Sequence, residues 1–106
     1  MERLYVLVRS DLSSGARVAQ ALHGLDEYRD AHHEHHTAWR KTSNTVAVLG
    51  VRDEEHLAEI TAKAEQYGIP CAVFREPDFG DAQTVLVLNG AHPSTRRLTS
   101  RLPLLS

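Results

Sequence analysis

The sequence has little of several things, and each shortage excludes a class of protein. It has one cysteine, Cys71, so no disulfide can form within the chain and an oxidising compartment is not implied. No apolar run approaches the roughly 18 residues of a membrane span, and the opening MERLYVLVRSD acquires charge too soon for a signal peptide. The expectation is therefore a cytoplasmic protein with no membrane partner. An excess of positive charge is also missing: the formal net charge is −2. A protein that coats nucleic acid indiscriminately would be basic, so that class is excluded, whereas a small patch holding one nucleic-acid end is not. No repeat or linker interrupts the 106 residues, which fit a single domain, residues 1–106, with one ordinary core.

What is present reads as alternating strands and helices. Residues 4–8, LYVLV, form a short apolar run flanked by Arg3 and Arg9, as in a strand covered on both faces. After the turn residues SDLSSG, the apolar positions Val18, Ala21, Leu22, Leu25 and Tyr28 recur at helical spacing. Asp11, Ser13 or Ser14 could cap that helix. Residues 45–51 form a β-branched strand. A second helix follows, with Asp53 as cap, Glu54 and Glu55 at its positive start, and Gly68 as stop. Residues 70–74 and 84–89 are two further strands, and a short helix begins at Ser94. The order β-α-β-α-β-β-α predicts a four-stranded mixed β-sheet flanked by helices on both faces, a three-layer α/β sandwich, with parallel neighbours among the first three strands.

In such sheets ligands gather beyond the carboxyl ends of the strands. Here that region carries Arg9, Asp11 and the SSGAR turn after the first strand, and REPDFGD after the third. Main-chain N–H groups at Ser14, Gly15 and Ala16 would offer an anion seat at a helix start. Arg17, Gln20 and His23 follow at three-residue spacing and share a face. The set comprises a phosphate clamp in Arg9 and Arg17, an amide in Gln20, a titratable base in His23 and acids in Asp78 and Asp81. That inventory suits ester hydrolysis on a phosphate-bearing substrate. A capped helix with polar residues on its solvated face accounts for the same spacing. Asp11 reads as a cap or loop tie. The tract HHEHH, residues 32–36, reads either as a metal site through His32, His35 and His36 or as a solvated helix end. Trp39 reads as a base-stacking platform or as packing over a core edge.

The segment LYVLVRSDLSSGARVAQALHGL resembles the opening of the archaeal/eukaryotic-type peptidyl-tRNA hydrolases: a strand running into Arg-x-Asp-Leu, a Gly-containing turn, and a helix with Ala-Gln-x-x-His. Here those residues are Arg9, Asp11, Leu12, Gly15, Ala19, Gln20 and His23. TVAVLGVRDEEHLAEITAKAEQYGIPCAVF is similar to the family's second strand, long helix and third strand, and TVLVLNG with RLPLL to its closing elements. The resemblance implies a carboxylic ester hydrolase that cleaves the bond between a peptide and the tRNA 3′ end. It implies no metal or other cofactor, the acceptor end of peptidyl-tRNA as partner, and leaves a homodimer open. Catalytic roles then fall to Gln20, His23, Asp78 and Thr84, and substrate contacts to Arg9, Asp11, Gly15, Arg17 and Asp81. Glu76 stands near the family's acid, with Asp78 and Asp81 as its expected substitutes, and the family's usual Gly-Lys pair reads Gly15-Ala16. The alternative is a catalytically inactive module of the same fold that binds a tRNA end or another protein.

Overall fold

A computed structural model describes residues 2–106. Strand β1 (Arg3–Arg9) leads into helix α1 (Ser14–Ala31), then helix α2 (His33–Thr42) and strand β2 (Thr45–Val51). Helix α3 (Glu54–Gln66), strands β3 (Cys71–Glu76) and β4 (Ala82–Asn89), and helix α4 (Thr95–Thr99) complete the chain. The sheet order is β2-β1-β4-β3, with β1 parallel to β2 and β4 antiparallel to both its neighbours. This is the expected mixed sandwich with two differences. β3 runs in the same direction as β1, but β4 separates them, so only β1 and β2 are parallel neighbours. The second difference is α2, which sequence periodicity merged into a single helix end.

The break between α1 and α2 lies at His32, whose backbone (φ −133°, ψ 55°) leaves the helix for one residue. Its ring bonds the carbonyl of Cys71 on β3 (2.9 Å), which fixes the corner against the sheet. α2 ends at Asn44, in the left-handed region at φ 56°, whose N–H returns to the carbonyl of Trp39 (2.8 Å).

Alternation along the strands divides the core into two layers. Leu4, Val6 and Val8 of β1, with Val85 and Val87 of β4, pack under α1 and α2 around buried Tyr28 and Trp39. Leu7, Leu49, Val51, Leu86 and Leu88 pack on the other face against Leu57, Ile60 and Ala64 of α3. Trp39 is buried and donates its indole N–H to the carbonyl of Thr45 (3.0 Å), so it is a core residue and not a stacking platform. The chain's last residues lie along the free side of β2: Gly50 N–H bonds Pro103 O (2.8 Å) and Leu105 N–H bonds Val48 O (3.0 Å). That contact covers part of an otherwise open edge.

α1 sits on the sheet through an unexpected face. Its buried residues are Gln20, Gly24 and Tyr28, at four-residue spacing, whereas Val18 and Leu22 of the predicted apolar stripe are 62% and 64% exposed. Gly24 makes this possible. A Cβ there would lie 2.3 Å from Val85 Cγ1 and 3.2 Å from Val87 Cγ2, so only glycine lets the helix come this close to β4.

Candidate active site

The close approach of α1 brings a polar side chain down onto the sheet. Gln20, 3% exposed, accepts a hydrogen bond from the Thr84 hydroxyl through Oε1 (2.6 Å) and donates from Nε2 to Glu76 Oε1 (2.8 Å). The second carboxylate oxygen, Glu76 Oε2, accepts from the main-chain N–H of Asp78 (3.3 Å). Three segments distant in sequence are thus joined in one chain of bonds, Thr84–Gln20–Glu76–Asp78. The carboxylate requires a donor, which fixes the orientation of the Gln20 amide and obliges Thr84 to donate.

Thr84 reaches Gln20 because β4 is bulged. Phe74 pairs with Val85 but Arg75 pairs with Gln83, leaving Thr84 as an extra residue. In a regular strand Thr84 would lie on the opposite face from Val85, toward α3. The bulge turns both toward α1, while Gln83 faces α3 and donates to Thr61 Oγ1 (2.8 Å). Glu76 needs no such device. Ala72, Phe74 and Glu76 alternate along β3, and the first two belong to the core layer under α1.

His23, one turn beyond Gln20, is exposed, and its ring stacks on Phe74 with centroids 4.8 Å apart and planes at 23°. Phe74 is thereby a platform that fixes the imidazole plane beside Glu76. Glu76 holds its proton less tightly than an ordinary glutamic acid, chiefly because Gln20 donates to it, then because the Asp78 N–H does, with His23 contributing through its charge. It is a stable carboxylate at neutral pH.

The β1–α1 loop is held by two arginines. Arg9 makes a bidentate pair with Asp11 (3.0 and 2.9 Å) and reaches the carbonyl of Gln83 (3.3 Å). The Arg9 bonds hold the Asp11 carboxyl below the usual range. Arg17 donates to the carbonyls of Leu12 (2.8 Å) and Ser10 (2.6 Å) and to that of Ser106. Its guanidinium is spent inside the protein, which corrects the expectation of a phosphate clamp at this residue. Ser13 caps α1 by accepting from Ala16 N–H (3.3 Å), and Gly15 stands in open space at the helix start.

The loop after β3 is a tight hairpin, a 3-10 turn at Pro77–Phe79 followed by Gly80 and Asp81, both with positive φ. Asp78 and Asp81 are exposed, and their main-chain N–H groups serve Glu76: Asp81 N–H bonds the Glu76 carbonyl (3.0 Å). The expected acid is therefore displaced. The carboxylate that meets Gln20 is that of Glu76, and the period of two along β3 is the sequence signal that points to it. Of the residues singled out from sequence, Gln20, His23 and Thr84 come together, and Arg9, Asp11 and Gly15 occupy the adjoining loop. Both loops open on the same end of the sheet.

The histidine tract is used for construction. His32 bonds the Cys71 carbonyl, and His35 sits between the Tyr28 hydroxyl (2.8 Å) and Glu2 Oε1 (3.0 Å). Burial pushes the Cys71 thiol up, as in an inert core cysteine.

A mixed four-stranded sandwich with a glutamine-centred network at the β1–α1 and β3–β4 loops defines a compact α/β domain with a polar site at one sheet end. Residues 3–105 match the family model described as "Peptidyl-tRNA hydrolase PTH2". The chain is 31% identical over 80 residues to a peptidyl-tRNA hydrolase of Methanocaldococcus jannaschii, covering 70% of each chain. A solved structure of a protein of unknown function from Agrobacterium tumefaciens strain C58 shares the fold, with a TM-score of 0.65 and 13% identity over 99% of this chain and 98% of the other. The chain belongs to the PTH2 peptidyl-tRNA hydrolase family. No helix among the described residues is long and apolar enough to cross a membrane.

Proposed function

We propose that this chain hydrolyses the ester between a peptide, or an N-blocked amino acid, and the 3′ ribose of tRNA. The observation that carries the reading is the Thr84–Gln20–Glu76 network set beside an exposed, Phe74-stacked His23. In this scheme His23 takes the proton of an attacking water and returns it to the departing ribose oxygen. The negative Glu76 stabilises the imidazolium that forms in between, as a carboxylate does for a catalytic histidine in other hydrolases. Gln20 and Thr84 are too deeply buried to touch a substrate, so they are positioning residues that hold Glu76 in place. Gly15 leaves open space at the start of α1 for a phosphate of the acceptor end. Arg9, Asp11 and Arg17 shape that loop, and Asp78 and Asp81 form the opposite wall.

The test is release of free tRNA from N-acetyl-aminoacyl-tRNA by the purified protein. Turnover above background supports the reading, and none at any enzyme concentration rejects it. One observation favours a second reading, a module that binds the tRNA end without cleaving it: the lysine usual in the family is Ala16. Binding of the same substrate without tRNA release is its expected outcome.

A further inference from the structure

The reading above uses one end of α1 and leaves the other unexplained. Where α1 meets α2, Arg29, His33, His36, Thr37, Arg40 and Lys41 line a hollow of about 710 Å³. A smaller hollow of about 290 Å³ adjoins it and shares Arg29, His36 and Arg40, with Leu22 and Leu25 on its apolar wall. We propose that this cationic hollow binds successive phosphates of an RNA backbone, as a second contact for the body of the tRNA. The inference rests on the reading of the chain as acting on an RNA-borne ester.

Three observations carry it. The first is the local excess of positive charge in a chain whose net charge is −2. α2 holds the fixed cations Arg40 and Lys41 against one acid, Glu34, with the rings of His33 and His36 beside them. On α1, Asp26 lines the smaller hollow and is bound to Arg29 (2.6 Å). Among the described residues Arg40 and Lys41 form no ion pair, so their charge faces solvent. The second is spacing. His33, His36 and Arg40 succeed one another at three- and four-residue spacing, and Lys41 lines the same hollow, over about 12 Å at 1.5 Å per residue. A single phosphate would fill only part of that row, whereas a polynucleotide can place consecutive phosphates along it. The third is reach. Arg29 lies nine residues beyond Gln20 on the same helix, about 14 Å along its axis and on its outer side. One RNA can therefore place its 3′ end at His23 and its stem across the hollow. His36 lines the hollow as a hydrogen-bonding ring more than as a cation. Its proton is held less tightly than usual, first because of burial and then because of Arg29, Arg40, His33 and His35 around it.

The experiment is fluorescence anisotropy of end-labelled, deacylated tRNA with wild-type protein, R40A/K41A and R40K, across a salt series. Loss of two phosphate contacts predicts binding weaker by about tenfold or more and a salt slope shallower by about 2 for R40A/K41A. R40K should bind as wild type does, since a lysine preserves a contact by point charge. Ester hydrolysis on a CCA trinucleotide, too short to reach α2, should keep its KM in R40A/K41A while the KM for full-length substrate rises. Unchanged affinity and slope in R40A/K41A overturn the inference, as does absence of tRNA binding by wild type. Complete displacement of tRNA by inorganic phosphate at constant ionic strength also overturns it, in favour of a free-phosphate site. Charge-dependent tRNA binding without hydrolysis leaves the inference standing and defeats the hydrolase reading instead.

Discussion

Gln20 is the residue on which the site turns, because it answers two demands at once. Its carbonyl needs the Thr84 hydroxyl, and its amide supplies the bond that keeps Glu76 ionised and in place. Thr84→Val removes the donor and leaves a buried carbonyl without a partner, at a cost of about 1–3 kcal/mol. A lower urea midpoint for Thr84→Val, with Thr84→Ser near wild type, is the expected outcome. The two depressed carboxylates give a second prediction. Glu76 and Asp11 bind protons more weakly in the folded chain than their ordinary values of 4.5 and 3.8. The stability they add is therefore complete above those values and drains away as pH falls through the lowered ones. Urea midpoints should decline between about pH 5 and pH 3, and the double variant Asp11→Asn, Glu76→Gln should decline less over that range. Gln20, His23 and Thr84 were legible in the sequence through their resemblance to a known motif. Glu76 was harder to choose because three acids stand within six residues, and only the pleat of β3 distinguishes them.

The elements were legible where the apolar pattern is simple and obscure where geometry departs from it. Each strand is marked by a short apolar run, and α3 by its cap, acidic first turn and terminal glycine. The α1–α2 corner at His32 carries no glycine or proline, so nothing in the local sequence announces it. The Thr84 bulge is hidden for another reason: seven of the eight β4 residues are buried, and a strand covered on both faces shows no alternation to break. The inward face of α1 was legible in part: Tyr28 is buried and Ala21 and Leu25 pack against the core, but the closest approach is made by Gln20 and Gly24, while Val18 and Leu22 point outward. That face gives a prediction about the helix as a whole. Gly24→Ala drives a methyl into Val85 and pushes α1 from the sheet, costing about 1–3 kcal/mol of stability. Because Gln20 lies one turn away, kcat should fall along with the urea midpoint. A stable, fully active Gly24→Ala protein would show that the close approach does not position the site.

At the scale of the whole molecule, the fold assembles its site from the ends of a sheet in which β4, the last strand in sequence, lies between β1 and β3. That placement brings the β1–α1 loop and the β3–β4 hairpin to one end, and α1 spans the distance from that end to the cationic face. Charge follows the same division: at the end that carries Gln20, Arg9 and Arg17 are tied internally, whereas among the described residues Arg40 and Lys41 of α2, at the other end, form no ion pair. The absence of the usual lysine then has a defined consequence. If His23 and Glu76 carry the reaction, Ala16→Lys should leave kcat near the wild-type value in the tRNA-release assay, whereas a rise of orders of magnitude would favour the binding-module reading.

The most direct measurement is the single-turnover rate of N-acetyl-aminoacyl-tRNA cleavage, from pH 5 to 8, for wild type, His23→Ala and Glu76→Gln. The account predicts a fall of about 10²–10⁴ in rate for His23→Ala and a pH profile that differs from the wild-type one. It predicts an intermediate loss for Glu76→Gln. A His23→Ala protein that cleaves at the wild-type rate with the same pH profile would contradict it.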